Sequence, residues 1–227
     1  MRLSIIIPVR NEAAGIVAML ARLAPLRERG AEIIVVDGGS SDGSAALATP
    51  LADRVLSTKP GRARQMHAGA IAASGEALLF LHADTVLPPD ADALIAAALR
   101  RHVWGRFDVK IDGQHPMFRI VETMMNLRSR ATGIATGDQA IFIRRADYEA
   151  LGGYAQQPLM EDIEFSARAR RLAPPACLHA RVCTSARRWQ THGIARTILL
   201  MWRLRLAYFL GADPRRLALA YGYRVED

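Results

Sequence analysis

An α/β fold, with a mostly parallel sheet flanked by helices, is what this sequence predicts, and three stretches predict it. Residues 3–9 and 32–36 are apolar, β-branched runs of strand length. Between them, 13–26 carries Ile16, Met19, Leu20 and Leu23 at helical spacing. A strand, a helix and a strand in so short a span make a βαβ unit, which pairs its strands in parallel through a right-handed crossover. A third run, Leu78-Leu79-Phe80-Leu81, breaks into His82-Ala83-Asp84-Thr85 and is closed by Pro88-Pro89, as expected of a buried strand. Ligands of open α/β sheets bind beyond the carboxyl ends of the strands. Asp37 and Asp84, which end two of these runs, therefore stand on a prospective binding rim.

Each further element follows from local pattern. After Asp37 the chain reads Gly38-Gly39-Ser40-Ser41-Asp42-Gly43, where glycines let backbone approach a ligand closely and Asp42 can cap a short helix over 44–48. Residues 54–56 read as a short strand. The basic loop from Thr58 holds Lys59, Arg62 and Arg64 and runs into a helix over 65–73; cations just before a helix N-terminus suit an anion, or form a merely solvated basic face. The strand at 77–81 follows, then a helix over 90–101, acidic at its start and basic at its end, matching the helix dipole. Beyond Trp104 a strand over 106–111 and an amphipathic helix over 116–130 are expected. Residues 136–143 form a glycine-led turn into a strand, and 151–154 a tight turn. Met160-Glu161-Asp162-Ile163-Glu164 opens a helix with three carboxylates. The last helix, 194–210, is apolar with arginines at 196, 203 and 205.

Composition limits the partners. The 227 residues suit one α/β domain with elaborations, and the net charge of +8 is carried by arginine, since Lys59 and Lys110 are the only lysines. Arginine offers a planar fork for phosphates. Aromatic residues are 6% of the chain and do not interleave with basic ones on a recognisable module, which argues against sequence-specific nucleic-acid binding. Cys177 and Cys183 lack zinc-ligand spacing and read as packing thiols of a cytoplasmic protein. Neither a signal peptide nor an uncharged apolar run of spanning length is expected.

In order, Ile7-Pro8-Val9-Arg10-Asn11-Glu12, then Asp37-Gly38-Gly39-Ser40-Ser41-Asp42, the aspartate after an apolar strand, and Glu161-Asp162 resemble the inverting family-2 glycosyltransferases of GT-A fold, over residues 3–190. The loops Gly61-Arg62-Ala63-Arg64-Gln65-Met66 and Thr136-Gly137-Asp138-Gln139-Ala140 are similar to those of a bacterial subfamily of selenodomain-associated or arsenosugar-biosynthesis transferases. The resemblance implies a nucleotide-sugar donor, with Asp37 on the base or ribose and Arg62 or Arg64 near the base or diphosphate. Asp84 would ligate Mn²⁺ or Mg²⁺, and Asp162 would be the general base beside Glu161. Pro8, Arg10, Glu12, Gly39, Gln65, His82, Ala83, Gly137 and Asp138 would complete the donor site. Such a transfer needs one carboxylate to take the acceptor proton and a cation to neutralise the leaving diphosphate.

Two departures from that family stand out. His82 replaces the acid that commonly precedes the metal aspartate by two residues, and Gly38 replaces the second acid of the usual Asp-Asp-Gly-Ser sequence. His82 is then a metal or phosphate contact, or a satisfied rim histidine. UDP is the preferred donor, with GDP and dTDP open. Arg187-Arg188-Trp189 resembles a shortened Gln-x-x-Arg-Trp motif, with Trp189 expected to pack. Sugar-nucleotide nucleotidyl transfer and non-catalytic nucleotide binding are the competing functions; the first usually needs a Gly-rich loop after the first strand, absent at 9–13. The expected domains are 1–190 and a helical extension, 191–227. Apolar residues nearly encircle 193–210, which favours burial on more than one side, against the domain or a homodimer mate. Peripheral contact with the cytoplasmic face of a membrane is the alternative.

Overall fold

A computed structural model describes residues 1–223. One eight-stranded sheet, in the order β3-β2-β1-β4-β7-β6-β8-β5, organises the chain. Its first half is the predicted βαβ grammar: β1 (Leu3–Val9), α1 (Ala13–Glu28), β2 (Glu32–Asp37), α2 (Ser44–Ala48), β3 (Arg54–Ser57), α3 (Arg62–Ala72) and β4 (Ala77–Phe80). β1 pairs in parallel with β2 on one side and β4 on the other, and β2 with β3. The chain thus winds outward from β1 to β3 and returns to place β4 on β1's far side. That reversal is a topological switch point, where the crevice beyond the strand ends opens.

The second half adds β5 (Thr85–Val86), α4 (Ala91–Leu99), β6 (Trp104–Asp112), α5 (Pro116–Thr132), a 3₁₀ turn (Gly137–Gln139), β7 (Phe142–Arg144), α6 (Arg145–Ala150), α7 (Glu161–Leu172) and β8 (Ala176–Ser185). β7 runs antiparallel between β4 and β6, and β6 pairs in parallel with β8. Among the elements that differ from the sequence reading are α3, α1 and β8. α3 starts at Arg62 rather than at 65, so Arg62 is itself the first helical residue. α1 runs on through Pro25 to Glu28. β8, ten residues long, replaces what local pattern left unassigned: ACLHARVCTS has no sustained apolar face because much of it is only half-buried.

Strand alternation splits the core over both faces. Ile5, Ile7, Ile33, Val35 and Leu79 pack with Ile16, Leu20 and Leu23 of α1 and Ile95 of α4. Ile6, Ile34, Val36, Leu78 and Phe80 pack with α3 and α7. α3 lies close because of Gly69: a Cβ there would sit 2.5 Å from Ile6 Cγ2. α7 is anchored by aromatic rings, with Phe165 4.5 Å from Tyr154 and Tyr154 4.9 Å from Phe80 between centroids. The helix carrying Asp162 is therefore fixed to the strand that leads to Asp84.

The chain closes with α8 (Arg187–His192), α9 (Ile194–Phe209) and α10 (Pro214–Tyr221). α9 and α10 pack through Leu204, Leu217 and Ala218 against Leu159 and Met160, just before α7. Burial of α9 on several sides is not what the chain achieves by itself. Thr197 and Leu204 are buried, while Leu199, Trp202, Leu206, Phe209 and Leu210 are exposed. Trp189 packs edge-on to Phe118, 6.4 Å between centroids, as expected. Both cysteines are free thiols.

Candidate active site

The rim is assembled at the ends of β1, β2 and β4. Asp37 ends β2 and is 5% exposed. Its Oδ2 accepts from the N–H groups of Gly39 and Ser40, each at 3.0 Å, while its Oδ1 is buried without a partner. A buried, unsatisfied carboxylate oxygen is costly, and at the rim it is an acceptor that a donor group of a ligand could satisfy. Gly39 allows the turn with φ 79°. Asp42 ties two helix starts together: it accepts from Ser44 N at 3.0 Å and from Ala13 N at 2.9 Å. Its bond from the Ser44 hydroxyl lowers its pKa first, followed by the Ala13 amide.

Gln65 is a brace. Its Nε2 donates to the carbonyls of Val9 and Val36, both at 2.8 Å, stitching the ends of β1 and β2. A side chain at Gly38 would collide with that amide, so the glycine that replaces an acid is paired with a buried glutamine. Pro8 is half-buried at the end of β1, and Arg10 is exposed in the loop beyond it. Glu12 bonds Arg187, 2.9 Å away. Arg64 is exposed and donates to Pro60 O at 3.3 Å, whereas Arg62 turns inward, donating to Tyr223 Oη at 3.0 Å and lying 3.4 Å from Glu161.

Beyond β4, His82, Ala83 and Asp84 are half-buried. Burial pushes the Asp84 carboxyl up, and Asp138 adds to this, while His82 and Arg187 oppose it. Both side chains are already engaged, His82 Nδ1 with Asp138 at 3.3 Å and Arg187 with Glu12. Asp138 is held low: burial would raise it, but the His82 bond and the charges of Arg62 and Arg205 prevail. His82 Nε2 is buried without a partner, so the histidine is only half satisfied. It also lies against Gly137, where a Cβ would overlap the ring.

Gly137 is the hinge of the site. Its N–H donates to Asp162 Oδ2 at 2.8 Å, and Asp162 Oδ1 accepts from Ile163 N at 2.7 Å. The 3₁₀ turn therefore holds Asp162 with its first residue and, through Asp138 and His82, reaches the loop of Asp84 with its second. Glu161 differs from its neighbour. It is 3% exposed, and burial pushes its carboxyl up, opposed by Arg62 and reinforced by Asp162. Burial likewise works against the charge of Arg62, yet Tyr223 and Glu161 outweigh it and raise its pKa. Asn11, Ala140 and Met160 are the non-glycine residues with positive φ among those described. One follows β1, one ends the 3₁₀ turn and one precedes α7, so strained backbone is concentrated around the rim.

A divalent cation suits this setting in one respect: Asp84 is a raised carboxyl whose neighbours His82 and Arg187 are engaged elsewhere. Among the described residues no group of three or more His, Cys, Asp or Glu could hold a metal. Asp84 could anchor Mn²⁺ or Mg²⁺ only with further oxygens from a diphosphate and water, a shared arrangement these ions favour. Tyr223 and Arg187 were absent from the sequence-derived site; each lies more than 150 residues from its partner, and no local signal links them.

Comparison with known proteins places this geometry. Over 156 residues the chain is 30% identical to the undecaprenyl-phosphate 4-deoxy-4-formamido-L-arabinose transferase of Yersinia enterocolitica, covering 63% of this chain and 48% of that protein. The chain thus spans about half the length of that relative. The mannosyltransferase PcManGT from Pyrobaculum calidifontis, in complex with GDP-Man and Mn²⁺, is similar over 98% of this chain and 69% of its own, with a TM-score of 0.66 and 23% identity. S. aureus TarS 1-349, in complex with UDP-GlcNAc, is similar over 82% of this chain and 58% of its own, with a TM-score of 0.64 and 19% identity. At such identities these two likenesses speak for the GT-A fold. The family description "Glycosyl transferase family 2" matches residues 4–151, a stretch that takes in β1, Asp37, Asp84 and the 3₁₀ turn, and the chain belongs to that family.

Proposed function

We propose that this protein transfers a sugar from a nucleoside-diphosphate donor to an acceptor hydroxyl with inversion, using Asp162 as general base and a divalent cation anchored by Asp84. The observation that carries this reading is the 3₁₀ turn bonded to Asp162 through Gly137 and to His82 through Asp138. It brings Asp162 and the loop of Asp84 to the two sides of one turn, which supports the roles of base and metal anchor. Asp37 Oδ1 supplies an acceptor for the nucleotide base or ribose, and UDP is the preferred donor. The narrower resemblance, to selenodomain-associated or arsenosugar-biosynthesis transferases, rests on the loops at 61–66 and 136–140.

The acceptor O–H gives its proton to Asp162 as its oxygen bonds the anomeric carbon, and the bond from that carbon to the diphosphate oxygen breaks. Two backbone N–H groups hold the Asp162 carboxylate in one orientation for that step. The bound cation supplies neutralisation of the charge growing on the leaving diphosphate. Glu161 keeps Arg62 in place. The exposed apolar side of α9 supports peripheral contact of 193–210 with the cytoplasmic face of a membrane.

The test separates binding from turnover. Asp162→Asn preserves size and most hydrogen bonding but cannot accept the proton, so turnover falls roughly 100-fold or more with nucleotide affinity retained. Asp84→Ala weakens nucleoside-diphosphate binding more with Mn²⁺ than without it. If UDP, GDP and dTDP with Mn²⁺ all leave the melting temperature unmoved, the donor site is wrong; near-normal turnover in Asp162→Asn removes that residue from the mechanism.

A further inference from the structure

Arg62 opens α3 and is held by two groups from distant parts of the chain. Its Nη1 lies 3.4 Å from Glu161 Oε1, at the start of α7, and its Nη2 donates to Tyr223 Oη at 3.0 Å, 161 residues away and just past α10. These contacts use two of the five N–H donors of a guanidinium, and 36% of the side chain is exposed. Glu161 and Tyr223 thus grip the fork from the protein side and leave further donors for a ligand. An arginine loses many rotamers when a ligand fixes it, and bonds that hold the fork beforehand lower that cost. One contact alone leaves the fork free to swing about it, and the second removes that freedom.

Tyr223 is itself fixed. Gly222 ends α10 in the left-handed conformation, φ 97°, and the N–H groups of Gly222 and Tyr223 donate to Leu219 O and Ala218 O at 3.0 and 2.9 Å, a cap that closes the helix at a defined point. The Tyr223 ring stands edge-on to Tyr221, 4.9 Å between centroids. Tyr221 in turn lies under Arg188 of α8, whose guanidinium carbon is 3.5 Å from the ring centre and whose Nη2 donates to Tyr221 O at 3.3 Å. Leu217 and Ala218 of α10 pack with Leu159 and Met160, the residues directly before Glu161. Both partners of Arg62 therefore belong to one packed unit. This inference rests on the reading that Arg62 contacts the donor diphosphate. On it, we propose that Tyr223 is a positioning residue, whose hydroxyl aims the Arg62 fork at the diphosphate, so that the α9–α10 extension completes the donor site.

Calorimetric titration of the full chain with UDP, and with uridine as the phosphate-free control, both with Mn²⁺, tests this. Tyr223→Phe removes the hydroxyl and keeps the ring against Tyr221, so the melting temperature shifts little. UDP binding to it weakens roughly three- to ten-fold, while uridine binds as it does to wild type. Arg62→Gln weakens UDP binding roughly ten-fold or more, and Tyr223→Phe added to that variant weakens it no further, since the group it acts through is gone. Should Arg62→Gln not fold, the contrast between UDP and uridine in Tyr223→Phe decides by itself. Unchanged UDP affinity in Tyr223→Phe, an equal loss for UDP and uridine, or losses that add in the double variant overturns the proposal. Tighter UDP binding also overturns it, as the mark of a hydroxyl that competes with the diphosphate. If UDP fails to bind wild type, or binds Arg62→Gln equally well, the placement of Arg62 at a donor diphosphate is what fails, and the role of Tyr223 falls with it.

Discussion

Glu161 and Asp162 are adjacent in sequence, yet their surroundings give them opposite work. Glu161 is sealed against Arg62, whereas Asp162 is held at the rim by backbone amides. Breaking a fully buried pair costs about 3 kcal/mol or more, but the Arg62 side chain is 36% exposed, so Glu161→Gln is expected to cost about 1–2 kcal/mol. Urea unfolding measures that loss, and an unchanged midpoint would show the pair to be idle. Glu32 offers a pH-dependent counterpart at the far end of the strands. Burial would raise its carboxyl, but bonds from Ser4 Oγ at 2.6 Å and Ser74 N at 2.8 Å prevail and lower it. A lowered folded-state pKa contributes stability above the unfolded value of roughly 4.3, lost as pH falls through the folded value. Wild type should therefore exceed Glu32→Gln by about 1–2 kcal/mol near pH 7, and the gap should close in acid; a gap independent of pH would contradict the assignment.

Among the elements, the 3₁₀ turn Gly137–Gln139 has the largest consequence for its size. It is held by the reciprocal bonds of Thr136 and Gln139, and it approaches His82 so closely that only glycine fits at 137. Gly137→Ala must displace the His82 ring or the turn, moving Asp138 and the amide that orients Asp162. Misplacement of a reacting group by about 1 Å can cost roughly 100-fold, so turnover should fall at least ten-fold while the melting temperature shifts little. Wild-type turnover in that variant would mean that the turn does not position Asp162 for the proposed transfer. Elements with sustained apolar patterning were legible, because β1, β2 and β4 are buried on both faces and α1 on one. β8 was not, because a half-exposed strand flanked by partners chosen elsewhere in the chain has no periodicity of its own.

At the scale of the molecule, two helices present apolar stripes without acidic residues. Met117, Ile120, Met124 and Leu127 on α5 are exposed, as are Leu199, Trp202, Leu206 and Phe209 on α9 and Leu210 just after it, with arginines at 119, 128, 130, 196, 203 and 205 along the same helices. No helix of the described residues is long and apolar enough to cross a membrane. An interfacial helix binds by apolar insertion together with attraction to anionic headgroups. The chain should therefore float with anionic vesicles at low ionic strength and be released by salt, and Trp202→Asp with Phe209→Asp should abolish flotation. Absence of binding together with a dimer by light scattering would assign the stripe to a second copy instead.

The sequence by itself determined the α/β class, the existence of the first four strands, the rim position of Asp37 and Asp84, and the helix start at Glu161-Asp162. All of these rest on short-range patterns: β-branched runs, helical spacing and turn residues. Tertiary structure alone decided how the rim is wired. His82 meets Asp138, Gly137 meets Asp162 and Arg62 meets Glu161 only because a switch-point sheet brings distant strand ends and loops to one edge. Gln65 became a brace because α3 begins three residues early and lies tight against β1, and α9 kept an exposed side because only one flank of it finds the rest of the chain. Hydrophobic periodicity states that a face will be buried, but not against what, and charge pairing across long loops leaves no local trace.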